Sequence, residues 1–130
     1  MAKQRVEPKK VFLITPKMVG RFVGEMQQYV DSLEAGGGCA VYWPWRDDPK
    51  DVRGDDGVVE TAYHIRQIQQ ADECHVWYWF KSQSVHMMLG VVAALRKPLI
   101  IVPRDVEYDS KFFRLLQNWQ HLLEGLDKGA

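Results

Sequence analysis

Residues 11–16 read Val11-Phe12-Leu13-Ile14-Thr15-Pro16, and this stretch decides the fold. Four consecutive apolar residues are typical of a strand that is buried on both faces of its sheet, and the proline ends the run. We therefore predict a first strand from Lys10 to Thr15. Because such a strand needs helices on both sides of the sheet, the rest of the chain has to supply them.

Short apolar segments and helical segments alternate along the following sequence. Three more segments have strand character: Cys39 to Trp43, Glu73 to Phe80 and Leu99 to Val102. Three segments have apolar residues at helical spacing: Gly20 to Ala35, Val58 to Ala71, and Ser82 or Ser84 to Lys97. A last helix, capped by Asp109 or Ser110, has an apolar face from Phe112 to Leu123.

The connections between the predicted strands are too long for hairpins. Strands that alternate with helices in this way form a mostly parallel sheet with helices on both faces. We predict a three-layer α/β sandwich of the flavodoxin or Rossmann-like type, with four strands in the order 2-1-3-4. In such sheets, ligands bind where the strand order reverses, which here lies between the first and third strands. The loops after Thr15 and Phe80 are expected to line that cleft.

Composition limits the domain organisation and the partners. The 130 residues fit one domain, with 1–9 and 128–130 expected to be flexible. Seventeen Lys and Arg balance seventeen Asp and Glu, so the chain lacks the positive charge of proteins that bind polymeric nucleic acid.

Several further classes are not expected from the sequence. The longest apolar stretch, Met87 to Leu95, is too short to cross a membrane, and Met1 to Lys10 is not followed by a signal-peptide core. We therefore expect a cytoplasmic protein. Cys39 and Cys74 lack the spacings of zinc or redox sites and are expected to be buried thiols. No group of His, Cys, Asp and Glu has the sequence spacing of a metal site, and no P-loop or dinucleotide glycine motif is present, so we predict no metal and no cofactor.

Three segments together resemble the nucleoside 2-deoxyribosyltransferase family, which also contains nucleotide N-glycosidases. They are Val11 to Pro16, Ile65-Arg66-Gln67-Ile68-Gln69-Gln70-Ala71-Asp72, and Ser84-Val85-His86-Met87-Met88-Leu89-Gly90, the last leading to Lys97-Pro98. The resemblance covers roughly residues 10 to 104. It implies a nucleoside, a nucleotide or a related ribosyl compound as the ligand, and a homo-oligomeric assembly.

The resemblance also implies two catalytic carboxylates, and both positions differ here. The family nucleophile lies two residues before the glycine matched by Gly90, where this chain has Met88. The second acidic position lies eight residues before Asp72, where this chain has His64. A thioether has neither the charge nor the basicity to trap a sugar cation, so loss of the nucleophile lowers the rate by a factor on the order of 10³ to 10⁶.

Three hypotheses follow from this departure. The leading one is a nucleoside- or nucleotide-binding protein that has lost glycosyl transfer. The second is an active N-glycosidase or transferase in which His64 supplies acid–base chemistry and Asp47, Asp48 or Glu60 replaces the missing carboxylate. The third is a structural subunit that forms homo-oligomers through exposed aromatic side chains and the last helix.

Further candidate ligand contacts lie in the loops around the expected cleft. The tryptophans of residues 43–45 could stack on a base, and the serines before the third long helix could hold a phosphate at its N-terminus. The candidates are Thr15, Pro16, Lys17, Arg21, Trp43, Trp45, Ser82, Ser84, His86 and Met88. The acid-rich segment from Arg46 to Gly57 is expected to be a solvated, mobile loop.

Overall fold

Strand β1 (Lys9–Ile14) lies in the interior of the sheet and pairs with a neighbour on each side. The structure is a computed structural model that describes residues 7–17, 20–53, 57–103 and 110–129. Strand β2 (Cys39–Tyr42) pairs parallel with β1 on one side, and β3 (Glu73–Trp77) pairs parallel on the other. Strand β4 (Leu99–Val102) pairs parallel with β3, which gives the predicted order β2-β1-β3-β4.

Helices cover both faces of this parallel sheet, which confirms the predicted α/β class. The long helices are α1 (Val23–Glu34), α4 (Val58–Gln70) and α5 (Gln83–Ala94). The shorter ones are α2 (Pro44–Asp47), α3 (Lys50–Arg53), α6 (Lys111–Gln117) and α7 (Trp119–Asp127). None of the helices in these described ranges has the length and apolar character that a membrane crossing requires.

The alternating side chains of β1 divide the core into two layers. Val11 and Leu13 pack with Met26 and Val30 of α1. Phe12 and Ile14 face the opposite side, where the larger cluster includes side chains from α4, α5, α6 and α7. Because both faces of β1 are buried, its sequence shows a continuous apolar run rather than an alternating one.

Several predicted boundaries differ from the structure. Lys9 already belongs to β1, and β3 ends at Trp77 rather than at residue 80. Hydrogen bonds of the final turn extend to Gly129. The predicted last helix is wrong as one element, because it breaks at Asn118 into α6 and α7. Ser110 caps α6 by accepting a hydrogen bond from Phe113 N, while Asp109 lies outside the described residues.

The acid-rich segment after β2 is more ordered than its sequence indicates. In place of the predicted solvated loop, residues 44–53 form α2 and α3, and Val52 is buried. Pro44 occupies the first turn of α2, where its missing N–H and fixed φ suit a helix start. These two short helices turn the chain back toward α4, so that Asp48, which lies between them, contacts His64 of α4.

Burial of Leu89 makes α5 the clearest test of this packing. Leu89 is 1% exposed on the helix face toward the sheet, whereas Leu115 of α6 is 38% exposed. We predict that Leu89→Ala lowers the free energy of unfolding by about 2–5 kcal/mol, because it leaves a cavity. The matched Leu115→Ala variant should change it by less than about 0.5 kcal/mol. Urea denaturation measures both, and equal losses would contradict this packing.

The two cysteines differ in burial, so the prediction of two buried thiols is confirmed only for Cys74. Desolvation by burial raises the pKa of Cys74 to about 12, whereas Cys39 is half-buried. Cys74 is therefore a thiol rather than the reactive thiolate at pH 8. We therefore predict that iodoacetamide labels Cys39 first, measured by mass spectrometry, and labels Cys74 only in denaturant. Rapid labelling of Cys74 in the folded chain would contradict its burial.

Candidate functional site

A cavity of about 240 Å³ opens at the carboxyl end of β1. The segment after β1, the α2–α3 region, the start of α4 and the first turns of α5 enclose it. Its sixteen lining residues are Phe12, Ile14, Thr15, Pro16, Lys17, Pro44, Trp45, Asp48, Arg53, Gly57, Glu60, Thr61, His64, Ser84, Met87 and Met88. This is the edge of the sheet where the strand order predicts a ligand.

Three ionisable side chains meet on the wall of this cavity. Glu60 and His64 lie one turn apart on α4, so they share a helix face. Asp48 reaches them from the segment between α2 and α3. One ligand-type atom from each residue lies within 4.8 Å of the other two.

Asp48 is held by a hydrogen bond at each carboxylate oxygen. The hydroxyl of Tyr42 donates to Oδ1 at 2.6 Å, and Nε2 of His64 lies 2.7 Å from Oδ2. Because a carboxylate oxygen accepts, the hydrogen of the second bond lies on Nε2. The Asp48 side chain is only 4% exposed, so these partners replace the water that it would otherwise bind.

Aromatic rings fix the two partners of Asp48. The ring of Phe12 stacks on Tyr42 with centroids 5.7 Å apart, and it contacts the His64 ring edge to face at 6.1 Å. Burial, followed by the hydrogen bond to Asp48, raises the pKa of Tyr42 well above its ordinary value. Tyr42 therefore remains a hydroxyl donor to Asp48 at neutral pH.

Unlike Asp48, Glu60 has no hydrogen-bonding side chain that holds its carboxylate among the described residues. Its carboxylate makes no hydrogen bond or ion pair with another residue in the described ranges. The side chain is partly buried and lines the cavity beside the Asp48–His64 pair. It is therefore available to a molecule in the cavity.

Asp47 was predicted, with Asp48, as a possible replacement carboxylate, but its side chain does not line the cavity. Its Oδ2 accepts a hydrogen bond from the backbone N–H of Trp43 at 2.8 Å. Its Oδ1 pairs with Arg46 at 2.8 Å, and Arg46 also pairs with Glu34 of α1. Asp47 thus anchors α2 and is not among the residues that line the cavity.

The structure brings most of the predicted site residues together. Nine of the candidates line the cavity: Thr15, Pro16, Lys17, Trp45, Asp48, Glu60, His64, Ser84 and Met88. Met88 lines the cavity as expected, but it is only 7% exposed and also packs in the core. The carboxylates of Asp48 and Glu60 share the cavity with this thioether, so the site does contain acids.

Three predicted contacts are not brought to the cavity. Trp43 is fully buried, and its Nε1 donates to Thr15 Oγ1 at 3.2 Å. Ser82 caps α5 by accepting a hydrogen bond from Val85 N. His86 bonds to the backbone oxygen of Ser82 through Nδ1 and to the Tyr78 hydroxyl through Nε2. The side chain of Arg21 lies outside the described part of the structure.

Exposed apolar side chains occur at the same end of the sheet. Trp79 and Phe80 follow β3 and are exposed, as are Trp45 and Met87 at the cavity. Aromatic side chains of this kind are frequent in protein interfaces. The homo-oligomer expected from the sequence stays a prediction.

Sequence comparison adds no family to this description. No protein-family model matches the chain, and no curated protein matches it at a significant level. The resemblance to nucleoside 2-deoxyribosyltransferases therefore stays a prediction that depends on the segments quoted above.

Proposed function

We propose that this chain binds a nucleoside or nucleotide in the cavity at the carboxyl end of β1. The observation that carries the proposal is the unpaired carboxylate of Glu60, which lines the cavity beside the Asp48–His64 pair. Carboxylates in the ligand crevice of nucleotide-binding α/β sheets accept hydrogen bonds from ribose hydroxyls, and Glu60 of α4 lines the corresponding cavity here. The cavity volume of about 240 Å³ favours one nucleoside over a dinucleotide.

Other cavity residues suit the base and the phosphate of such a ligand. The Trp45 ring is 45% exposed and lies 4.9 Å from the buried Trp43 ring, which supports it from one side. An aromatic ring fixed in this way can stack on any base. Lys17 and the N-terminal turn of α5 at Ser84 suit an anionic phosphate group.

Met88 favours binding over covalent glycosyl transfer. Its thioether lines the cavity at the position that the family resemblance assigns to the nucleophile. No glycosyl-enzyme ester can form on a thioether, because the step needs an anionic oxygen nucleophile. The proposed function is therefore recognition of the ligand, as in a sensor or an assembly subunit.

Isothermal titration calorimetry with ribonucleosides and their 5′-monophosphates tests this function. We predict saturable binding of at least one compound. Glu60→Gln should weaken that binding about tenfold, because hydrogen bonds to a charged group contribute about 1.5–3 kcal/mol and an amide oxygen replaces part of this. Asp51→Asn is the matched control, since Asp51 is exposed on α3 and does not line the cavity. Folded protein that binds no member of the panel would contradict the proposal.

A thermodynamic cycle that combines one protein variant with one ligand analogue tests whether Glu60 contacts the ribose. The wild-type chain and Glu60→Gln are each titrated with the best ligand and with its 2′,3′-dideoxy analogue. If Glu60 accepts a hydrogen bond from a ribose hydroxyl, the variant and the analogue remove the same interaction. The loss of binding free energy for the combination is then smaller than the sum of the two separate losses. Additive losses would show that the carboxylate does not contact the sugar.

The acids beside Met88 favour a second candidate, which is hydrolysis of the N-glycosidic bond. Water would attack the anomeric carbon directly, and the bond to the base would break with its electron pair on the base. The attacking water would give up one proton to solvent, and the base would take up one from solvent. Glu60 would orient the water, and the carboxylates would stabilise the cationic sugar in the transition state. No covalent intermediate is needed on this route.

Chromatographic release of free base separates hydrolysis from binding alone. If the second candidate is correct, the wild-type chain releases base from its best ligand, and Glu60→Gln releases it at least about 100-fold more slowly. Asp51→Asn should retain the wild-type rate. Binding without base release would leave recognition as the function, and release that survives Glu60→Gln would contradict the assigned role of Glu60.

A further inference from the structure

The donor set of the acid–histidine cluster is one that transition metals prefer. Asp48 and Glu60 each offer a carboxylate oxygen and His64 offers a ring nitrogen, all within 4.8 Å of one another. One imidazole with two carboxylates suits Zn²⁺, Mn²⁺ or Co²⁺. Nε2 and Oδ2 are 2.7 Å apart in their hydrogen bond, so a separation of less than about 1 Å brings them to the spacing of two tetrahedral ligands at about 2.0–2.2 Å from zinc.

The local fold supports this donor set in the way that metal sites are supported. Glu60 and His64 project from the same face of α4, one turn apart, so a single rigid element positions two of the three donors. The hydroxyl of Tyr42 holds the other oxygen of Asp48 at 2.6 Å. Outer partners of this type orient ligating carboxylates.

The charge balance of the cluster provides an independent argument. Within the described ranges, the imidazole of His64 is the only basic group within 4.0 Å of either the Asp48 or the Glu60 carboxylate. Glu60 has no partner of its own there. Two carboxylates thus share at most one positive charge in a partly desolvated wall, and a divalent cation would remove this deficit.

We propose that Asp48, Glu60 and His64 bind one divalent transition metal, with Zn²⁺ as the best fit. The metal takes the place of the hydrogen on Nε2 of His64, and the ring binds as a neutral imidazole with its hydrogen on Nδ1; a ring that starts as imidazolium gives its second proton to solvent. A side-chain rotation brings the Glu60 carboxylate toward the Asp48–His64 pair and completes three protein ligands. The remaining coordination positions face the cavity and hold water. This site replaces the sequence expectation of no metal.

Metal titration of the untagged full chain tests the site without any nucleotide. Calorimetry with Zn²⁺ should show one site per chain, and Co²⁺ should give visible absorption bands at the same stoichiometry. Glu60→Gln, at a partly exposed and unpaired side chain, should weaken Zn²⁺ binding at least about tenfold without loss of fold. Tyr42→Phe should weaken it about 10- to 100-fold by releasing Asp48.

His121→Gln is the control for adventitious binding at the surface. His121 is exposed on α7 and its Nδ1 lies 3.7 Å from Glu124, so it offers a similar pair of donors outside the cavity. The proposal requires this variant to bind Zn²⁺ as tightly as the wild type. Absence of saturable binding, or binding that Glu60→Gln leaves intact, would overturn it.

Separate titrations distinguish failure of the proposed metal site from failure of the proposed function. Nucleotide titrations are run in EDTA and metal titrations without nucleotide, because both ligands use Glu60. Nucleotide binding without metal binding would reject only the metal site. Metal binding without nucleotide binding would reject only the proposed function.

Discussion

Strand β1 is paired on both edges and buried on both faces, and the position of the other elements depends on this constraint. A strand with Val11, Phe12, Leu13 and Ile14 all removed from water requires a sheet neighbour on each side and a helical layer above and below. The chain therefore places β2 on one side and β3 on the other. The reversal in strand order leaves a gap where β1 ends, and the cavity lies in that gap.

The same geometry explains how a carboxylate comes to be buried there. Removing an ion such as Asp48 from water costs several kcal/mol, and hydrogen bonds to a charged group contribute about 1.5–3 kcal/mol each. The bonds from Tyr42 and His64 therefore roughly offset the desolvation of Asp48 and leave little net stabilisation. The cluster therefore adds little to folding, and its place on the cavity wall supports the ligand site proposed above.

The alternation of apolar strand and helix segments along the sequence was enough to predict the sheet order, the α/β class and the edge of the sheet that holds the cavity. It was not enough for α2 and α3, because four-residue helices show no periodicity. The break at Asn118 was also missed, since apolar residues continue at helical spacing through α6 and α7. Asp48 and His64 are sixteen residues apart and match no metal motif, so their contact depends on tertiary structure. The spacing of Glu60 and His64, four residues apart on a predicted helix, was the one signal that could have indicated their shared face.

Indole resonances offer the most direct test of a ligand at the end of β1. The Nε1–H of Trp43 bonds to Thr15 at the cavity, and Trp45 lines it, whereas the Nε1–H of Trp119 bonds to Lys97 O in the packing of α7. In ¹H–¹⁵N spectra recorded during nucleotide addition, the account predicts saturable shifts of the Trp43 and Trp45 indole signals and an unchanged Trp119 signal. Saturable shifts confined to Trp119, or a nucleotide complex that leaves Trp43 and Trp45 unmoved, would contradict it.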